Sequence, residues 1–190
     1  MRSFMLPEFE NNVYVLVDPE TNDSVLFDAP GDAPRILKAL EGTNLRYILM
    51  THADPDHVGA LREVKEATGA PIAIHPAEEQ RLPISPDILL QDGQDIRFGN
   101  VELRAIHTPG HTPGGMSFVT GDTLIAGDTL FPGGPGNTER PISNFDEIIN
   151  SIRTKLFVLP DETHVYPGHG RATTIGAERP HLDEWIARGY

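Results

Sequence analysis

The histidines and aspartates of this chain that could bind a metal follow directly on short apolar runs. Tyr47-Ile48-Leu49-Met50 leads into Thr51-His52-Ala53-Asp54-Pro55-Asp56-His57. Val101 to His107 leads into Thr108-Pro109-Gly110-His111-Thr112-Pro113-Gly114-Gly115. Thr123 to Ala126 leads into Gly127-Asp128-Thr129-Leu130-Phe131, and Thr163 to Tyr166 into Pro167-Gly168-His169-Gly170. Brief apolar runs bounded by glycine, proline and aspartate read as buried strands. The ligand-like residues all fall just after strands, so the fold could gather them at one edge. No other feature of the chain constrains the fold as much.

The residue types at these strand ends suit metal ions. His52 and His57 flank Asp54 and Asp56, and Pro55 stiffens the turn by fixing its own φ and restricting Asp54. One metal can take His52, Asp54 and His111, the other Asp56, His57 and His169, with Asp128 between them. Such a pair polarises a carbonyl and generates a nucleophile near neutral pH. Asp56 is the candidate to orient the attacking water or accept its proton. The glycines and prolines beside His111, Asp128 and His169 permit sharp turns that each present one side chain.

The remaining pattern completes the architecture. Val13 to Val17 and Val25 to Asp28 read as strands around a polar turn at Glu20-Thr21-Asn22-Asp23. Pro71 to Ile74, Asp95 to Phe98 and Met116 to Thr120 read as further strands. Ala33 to Leu40, Val58 to Thr68, Pro76 to Arg81, Phe145 to Leu156 and a tail from Thr174 ending in Trp185, Ile186 and Tyr190 read as helices, the second stopped by Gly69. Both halves are rich in strands and end in helices. The expectation is an α/β fold in which two sheets face each other with helices outside, one domain over residues 1–190.

Composition removes several classes of function. At 38% hydrophobic and 23% charged residues the chain can bury a core. A net charge of −13 repels phosphate backbones and anionic membranes, so neither is expected as a partner. The chain has no cysteine, which excludes disulfides, thiolate ligands and a cysteine nucleophile. Its first residues show no signal-like apolar stretch, and no apolar run is long enough to span a bilayer. A cytoplasmic enzyme acting on a small molecule is the expectation.

The set His52, Asp54, Asp56, His57, His111, Asp128, His169 resembles the ligand series of the metallo-β-lactamase-fold hydrolases, written His-x-His-x-Asp-His followed by distant His, Asp and His. Gly-His-Thr-Pro-Gly, Gly-Asp-Thr-Leu-Phe and Pro-Gly-His-Gly make it similar to the glyoxalase II-like branch, from about Val13 to Gly170. The resemblance implies a four-layer αβ/βα sandwich and two divalent metals. It also implies hydrolysis of a thioester, ester or similar acyl bond by a hydroxide between the metals. Residues 170–190 are too few for the C-terminal helical domain of full-length glyoxalase II, so the likeness is to the short enzymes of that branch. The loop from Phe131 to Arg140 is expected to line the substrate cleft, with Phe131, Asn137 and Arg140 as contacts.

The chain departs from the family pattern at one position. Asp54 stands where the family has its second histidine. With Asp56, Asp128 and hydroxide it balances two divalent ions, which favours iron or manganese over zinc. Two other readings compete with the hydrolase. His52, His111 and Asp128 also form the two-histidine, one-carboxylate set of a mononuclear iron dioxygenase, and Asp54 in a disabled site would leave a metal-stabilised binding domain. Singly, any of these residues is ordinary. Asp56 alone would be a helix cap, and His75, His107, His164 and His181 read as structural or exposed. No serine-hydrolase elbow, P-loop or dinucleotide fingerprint is found.

Overall fold

Val13 and Val15 point to one side of their strand and Tyr14 and Leu16 to the other, and all four are buried. The same holds for Leu26 against Val25 and Phe27. A strand buried on both faces must lie between two packed layers. In the computed structural model, which describes residues 1–8 and 10–189, that is their position. Val13, Val15, Leu26, Ile48 and Ile72 pack on Ile36, Leu40, Leu61 and Val64 of outer helices. Tyr14, Leu16, Val25 and Phe27 pack on Leu103, Met116, Phe118 and Ile125 of a second sheet. Behind that sheet, Leu124, Ala126 and Val165 meet Ile148, Ile152, Leu156 and Trp185. Three apolar zones therefore separate four layers, helix, sheet, sheet and helix, as expected for an αβ/βα sandwich.

The first sheet has the spatial order β1 (Arg2–Leu6), β2 (Asn11–Val17), β3 (Asp23–Phe27), β4 (Asn44–Leu49), β5 (Ile72–Ile74) and β6 (Ile88–Leu89). Its first three strands pair antiparallel, the rest parallel. The crossovers between β3, β4 and β5 run through α1 (Ala33–Leu40), α2 (Pro55–Val58) and α3 (Leu61–Thr68). The second sheet comprises β7 (Asp95–Phe98), β8 (Val101–His107), β9 (Met116–Thr120), β10 (Thr123–Gly127), β13 (His164–Pro167) and β14 (Thr173–Thr174), in that spatial order. β10 and β13 run parallel. Between them lie a hairpin, β11 (Leu130–Phe131) with β12 (Gly134–Pro135), and helix α4 (Phe145–Ser151). The chain closes with α5 (Ile175–Glu178) and α6 (Leu182–Arg188). Among the described residues no helix is long and apolar enough to cross a membrane.

Several expected elements change form. The helix expected over Val58 to Thr68 is two pieces, because the loop after β3 takes its backbone groups: Ala29 N–H donates to His57 O (3.0 Å) and Ala60 N–H to Ala29 O (2.8 Å). The helix expected over Phe145 to Leu156 ends in a wider π turn from Ile152, where Phe157 N–H reaches Ile152 O at 2.8 Å. The tail divides at Pro180 into α5, a 3-10 turn and α6; Tyr190 lies outside the described residues. Strands β1, β6, β11, β12 and β14 had no sequence reading. They are short or, in β1, mostly exposed, so no alternation marks them.

Candidate metal centre

His52 follows β4, His111 follows β8, Asp128 follows β10 and His169 follows β13, so the expected ligands gather at one edge of the sandwich. Two sheets meet there at close range. Met116 N–H donates to Thr51 O (2.8 Å), and Asn12 N–H and the Tyr14 hydroxyl donate to Gly168 O (2.7 Å) and Pro167 O (2.8 Å). Gly127 has φ +51°, and a Cβ there would stand 2.7 Å from Thr51 Cβ, so only glycine lets these strand ends touch. The His111 turn rests on α4 in the same way: a Cβ on Gly110 would lie 2.3 Å from Ile148 N, and Asn144 N–H donates to Gly110 O (2.7 Å).

The ligating atoms form two groups, His52 with His111 and Asp128, and Asp56 with His57 and His169. Within each, they lie within 4.8 Å of one another. Asp128 joins the groups: its Oδ2 is 3.5 Å from His111 Nε2 and 3.4 Å from His169 Nε2, and its Oδ1 is 3.6 Å from His57 Nε2. His57 Nε2 and His169 Nε2 are 3.3 Å apart.

Hydrogen bonds turn three imidazoles so that Nε2 faces the site. The Thr51 hydroxyl donates to Asp28 Oδ2 (2.7 Å), so it has only a lone pair for His52 Nδ1–H (2.9 Å). His57 Nδ1 is held by Asp28 Oδ2 at 2.9 Å, and His111 Nδ1 by Asn137 O at 2.8 Å. A partner on Nδ1 leaves the Nε2 lone pair for a metal. Among the described residues, His52 Nε2 and Asp128 Oδ1 are buried with no hydrogen-bond partner. Orphaned acceptors inside a protein are costly, and a divalent cation satisfies both. Asp54, Asp56 and Asp128 supply anionic oxygen for such a cation, so the donor set fits the group that the sequence implies.

The field of the site is strong. Burial opposes the charge on His57, but Asp128 and Asp28 raise its pKa well above the usual imidazole value. Burial and the neighbouring His57 lower that of His52. Burial works against ionised Asp128 and Asp54, yet the histidines around both, with Arg140 beside Asp54, hold these carboxyls far below the usual range. Asp56 is 31% exposed, and its hydrogen bond with His169 brings its pKa to about 2.

Asp54 has partners that the sequence did not suggest. Oδ2 lies 3.2 Å from His111 Nε2 and 3.4 Å from His52 Nε2, but it also accepts from Arg140 Nη1, while Oδ1 accepts from Arg81 Nη2. Of the residues expected at the substrate, Phe131 stacks near His169 with ring centroids 6.4 Å apart. Asn137 spends its carbonyl on His111 and its side chain on Glu139 N–H (2.8 Å). Phe131, Gly134, Asn137, Glu139 and Arg188 line a cavity of about 330 Å³. A second, of about 410 Å³, opens beside Asp56 and is lined by Leu6, Asn11, Pro30 and Pro55.

Two buried carboxylates escaped the sequence reading. Asp28, at φ +55° where β3 ends, holds Thr51 and His57 together. Glu78, in the 3-10 turn Pro76–Arg81, accepts from Ala53 N–H (3.1 Å) in the His52 loop and from Gly114 N–H (2.9 Å) in the His111 loop. For Asp28 the signal was a charge ending an apolar run before Ala29-Pro30-Gly31; for Glu78 there was none. Of the other histidines, His75 and His107 stack at 4.0 Å, and His107 Nε2–H donates to Pro113 O (2.9 Å) in the His111 turn.

The sequence profile of the Metallo-beta-lactamase superfamily matches residues 6–169. The chain belongs to the metallo-β-lactamase superfamily. Within it, the chain is 34% identical to hydroxyacylglutathione hydrolase GloC of Haemophilus influenzae, over 90% of this chain and 91% of that protein. It is similar in structure to the BLEG-1 B3 metallo-beta-lactamase (TM-score 0.89, 30% identity, 95% and 97% of the two chains). It is also similar to TTHA1623 in a di-iron-bound form (TM-score 0.83, 30% identity, 94% and 97%). The fold implies binding of divalent metal, and the two donor groups at the sandwich edge could hold such ions.

Proposed function

We propose that this protein is a cytoplasmic metallo-hydrolase that cleaves a small thioester or ester, with two divalent ions held by His52, Asp54, His111, Asp56, His57 and His169 and joined by Asp128. The observation that carries the reading is the placement of Asp128 between the two histidine groups, with its Oδ1 and His52 Nε2 both buried without a hydrogen-bond partner among the described residues. The likeness to a hydroxyacylglutathione hydrolase supports hydroxyacyl thioesters as the first substrates to test. The second group of ligands speaks for a hydrolase over a single-iron dioxygenase, which needs only His52, His111 and Asp128.

When bound, the metals supply an activated water and a Lewis acid for the substrate carbonyl. The protein supplies order. Asp28 and Thr51 fix the rings of His52 and His57, and Asn137 fixes that of His111. Asp56 is ionised at neutral pH, so its carboxylate accepts a hydrogen bond from water in the cleft beside it. The cavity from Phe131 to Glu139 would take one side of the substrate and the apolar one beside Asp56 the other.

A panel of thioesters and esters offered to the metal-loaded protein tests this. Turnover is expected, falling by more than about 100-fold in His111→Ala and His169→Ala. Each variant is also expected to lose metal, and His169→Ala about 2–3 kcal/mol of metal-linked stability, given metal at about 100 times the Kd of that position. A fully loaded protein with no turnover on the panel refutes the hydrolase.

A further inference from the structure

We propose that the guanidinium of Arg140 competes with a metal ion for the His52–Asp54–His111 position, so that the two metal positions of this chain fill unequally. The inference rests on the metal-centre reading above.

The count of lone pairs leads to it. His111 Nδ1–H is committed to Asn137 O, so Nε2 has a single lone pair. Arg140 Nη2 donates into that lone pair at 2.9 Å and also to His111 O at 3.0 Å. Its other terminal nitrogen, Nη1, pairs with Asp54 Oδ2, the oxygen that faces His52 and His111. One planar fork thus engages two of the donor atoms that a metal would need, with the bidentate geometry that arginine favours. An sp² nitrogen cannot serve a guanidinium and a metal together, so one cation must leave before the other enters.

Asp54 explains why the arginine rests there. A neutral histidine, the family residue at this position, would give a guanidinium no anion to pair with. Asp54 accepts Arg140 on one oxygen and Arg81 on the other, and Arg81 is anchored to the fully buried Glu78. Arg140 is able to withdraw: it sits in the irregular segment after β12, and its side chain is 35% exposed. At the other position, the ion pairs of Asp56 and Asp128 among the described residues are all with histidines. A metal there takes neither carboxylate from an arginine or lysine of the described residues, and that position fills first.

The test reads metal binding without turnover. The metal-stripped full-length chain is titrated with Mn²⁺ and, separately, Zn²⁺ by calorimetry, with bound metal counted by elemental analysis. For the unmodified protein we expect one tight equivalent and a second that is at least about tenfold weaker, tenfold being the lower end of what a charge-assisted hydrogen bond contributes. His111→Ala should remove the weak step and keep the tight one. Arg140→Gln, too short to span His111 and Asp54, should strengthen the weak step by about tenfold or more. Arg81→Gln, which removes a charge from the same carboxylate without touching His111, should strengthen it far less. Two equal sites in the unmodified protein, an unchanged weak step in Arg140→Gln, or equal gains in both arginine variants would overturn the proposal. An inactive substrate panel would refute the hydrolase and leave this result standing; an active enzyme with two equal sites would do the reverse.

Discussion

At the scale of single residues, the site is governed by side chains and glycines that never meet a metal. A Cβ on Gly168 would stand 2.1 Å from Asp128 Oδ1 and 2.9 Å from His57 Cε1. Gly168→Ala is therefore expected to push the joining carboxylate aside and lower metal content while the fold persists; full metal occupancy in a folded variant would contradict this. Asp28 acts through hydrogen bonds alone. It receives Thr51 N–H and the Thr51 hydroxyl, both at 2.7 Å, and holds His57 at 2.9 Å. Changing it to Asn should weaken metal binding by about 10–100-fold, the usual range for a residue that orients a metal-bound histidine. Calorimetry checks the figure, and unchanged affinity would show that the ring is held by packing alone.

At the scale of elements, turns between short pieces do what a long helix would have prevented. The break between α2 and α3 lets the Asp28–Gly31 loop pass under the His52–His57 segment. Gly59 is the tight point, since a Cβ there would lie 2.4 Å from Pro30 O. Backbone cannot yield as a flexible side chain does. We expect Gly59→Ala to cost about 1–3 kcal/mol, the range for an overpacked interior, and to weaken metal binding as well, since His57 lies on the same turn. Urea unfolding of the metal-free and loaded protein separates the two effects. A variant as stable as the parent would mean that the loop moves freely. The sequence indicated helix over this stretch correctly, because Val58, Leu61 and Val64 recur at helical spacing. The interruption arises from hydrogen bonds to Ala29, which no local pattern records.

At the scale of the whole molecule, the two sheets are also tied at the end away from the metal centre. Asp18, in the turn between β2 and β3, accepts from Asn100 N–H (2.7 Å) in the turn between β7 and β8, from Glu20 N–H (3.0 Å) and from the Thr21 hydroxyl (2.8 Å). These bonds, those from Asn100 and Glu20 first, lower its pKa. A carboxylate lowered on folding stabilises the protein above its unfolded pKa, near 3.9, and that contribution vanishes as pH falls through the folded value. Asp18→Asn should therefore be less stable than the parent at pH 7, with the difference shrinking below about pH 4. The buried Trp185 reports on unfolding at both pH values. An equal difference at pH 7 and pH 3 would show that charge is not what joins the two turns.

The residues alone indicated which side chains could bind metal and two facing sheets with helices outside; the four-layer sandwich was what the family resemblance implied. The candidate ligands are legible because they sit beside glycine and proline at strand ends, whereas the burial of β2 and β3 on both faces, which demands a layer on each side, is a fact of the packed structure. Only tertiary structure decided the partners of Asp54, Asp28 and Glu78. Arg81 and Arg140 come to Asp54 from a 3-10 turn and from the segment after β12, and Glu78 joins loops belonging to different sheets. A charged side chain carries no mark of the distant group that will compensate its burial. That group is chosen when the layers pack, because a buried charge must be paired wherever packing leaves it.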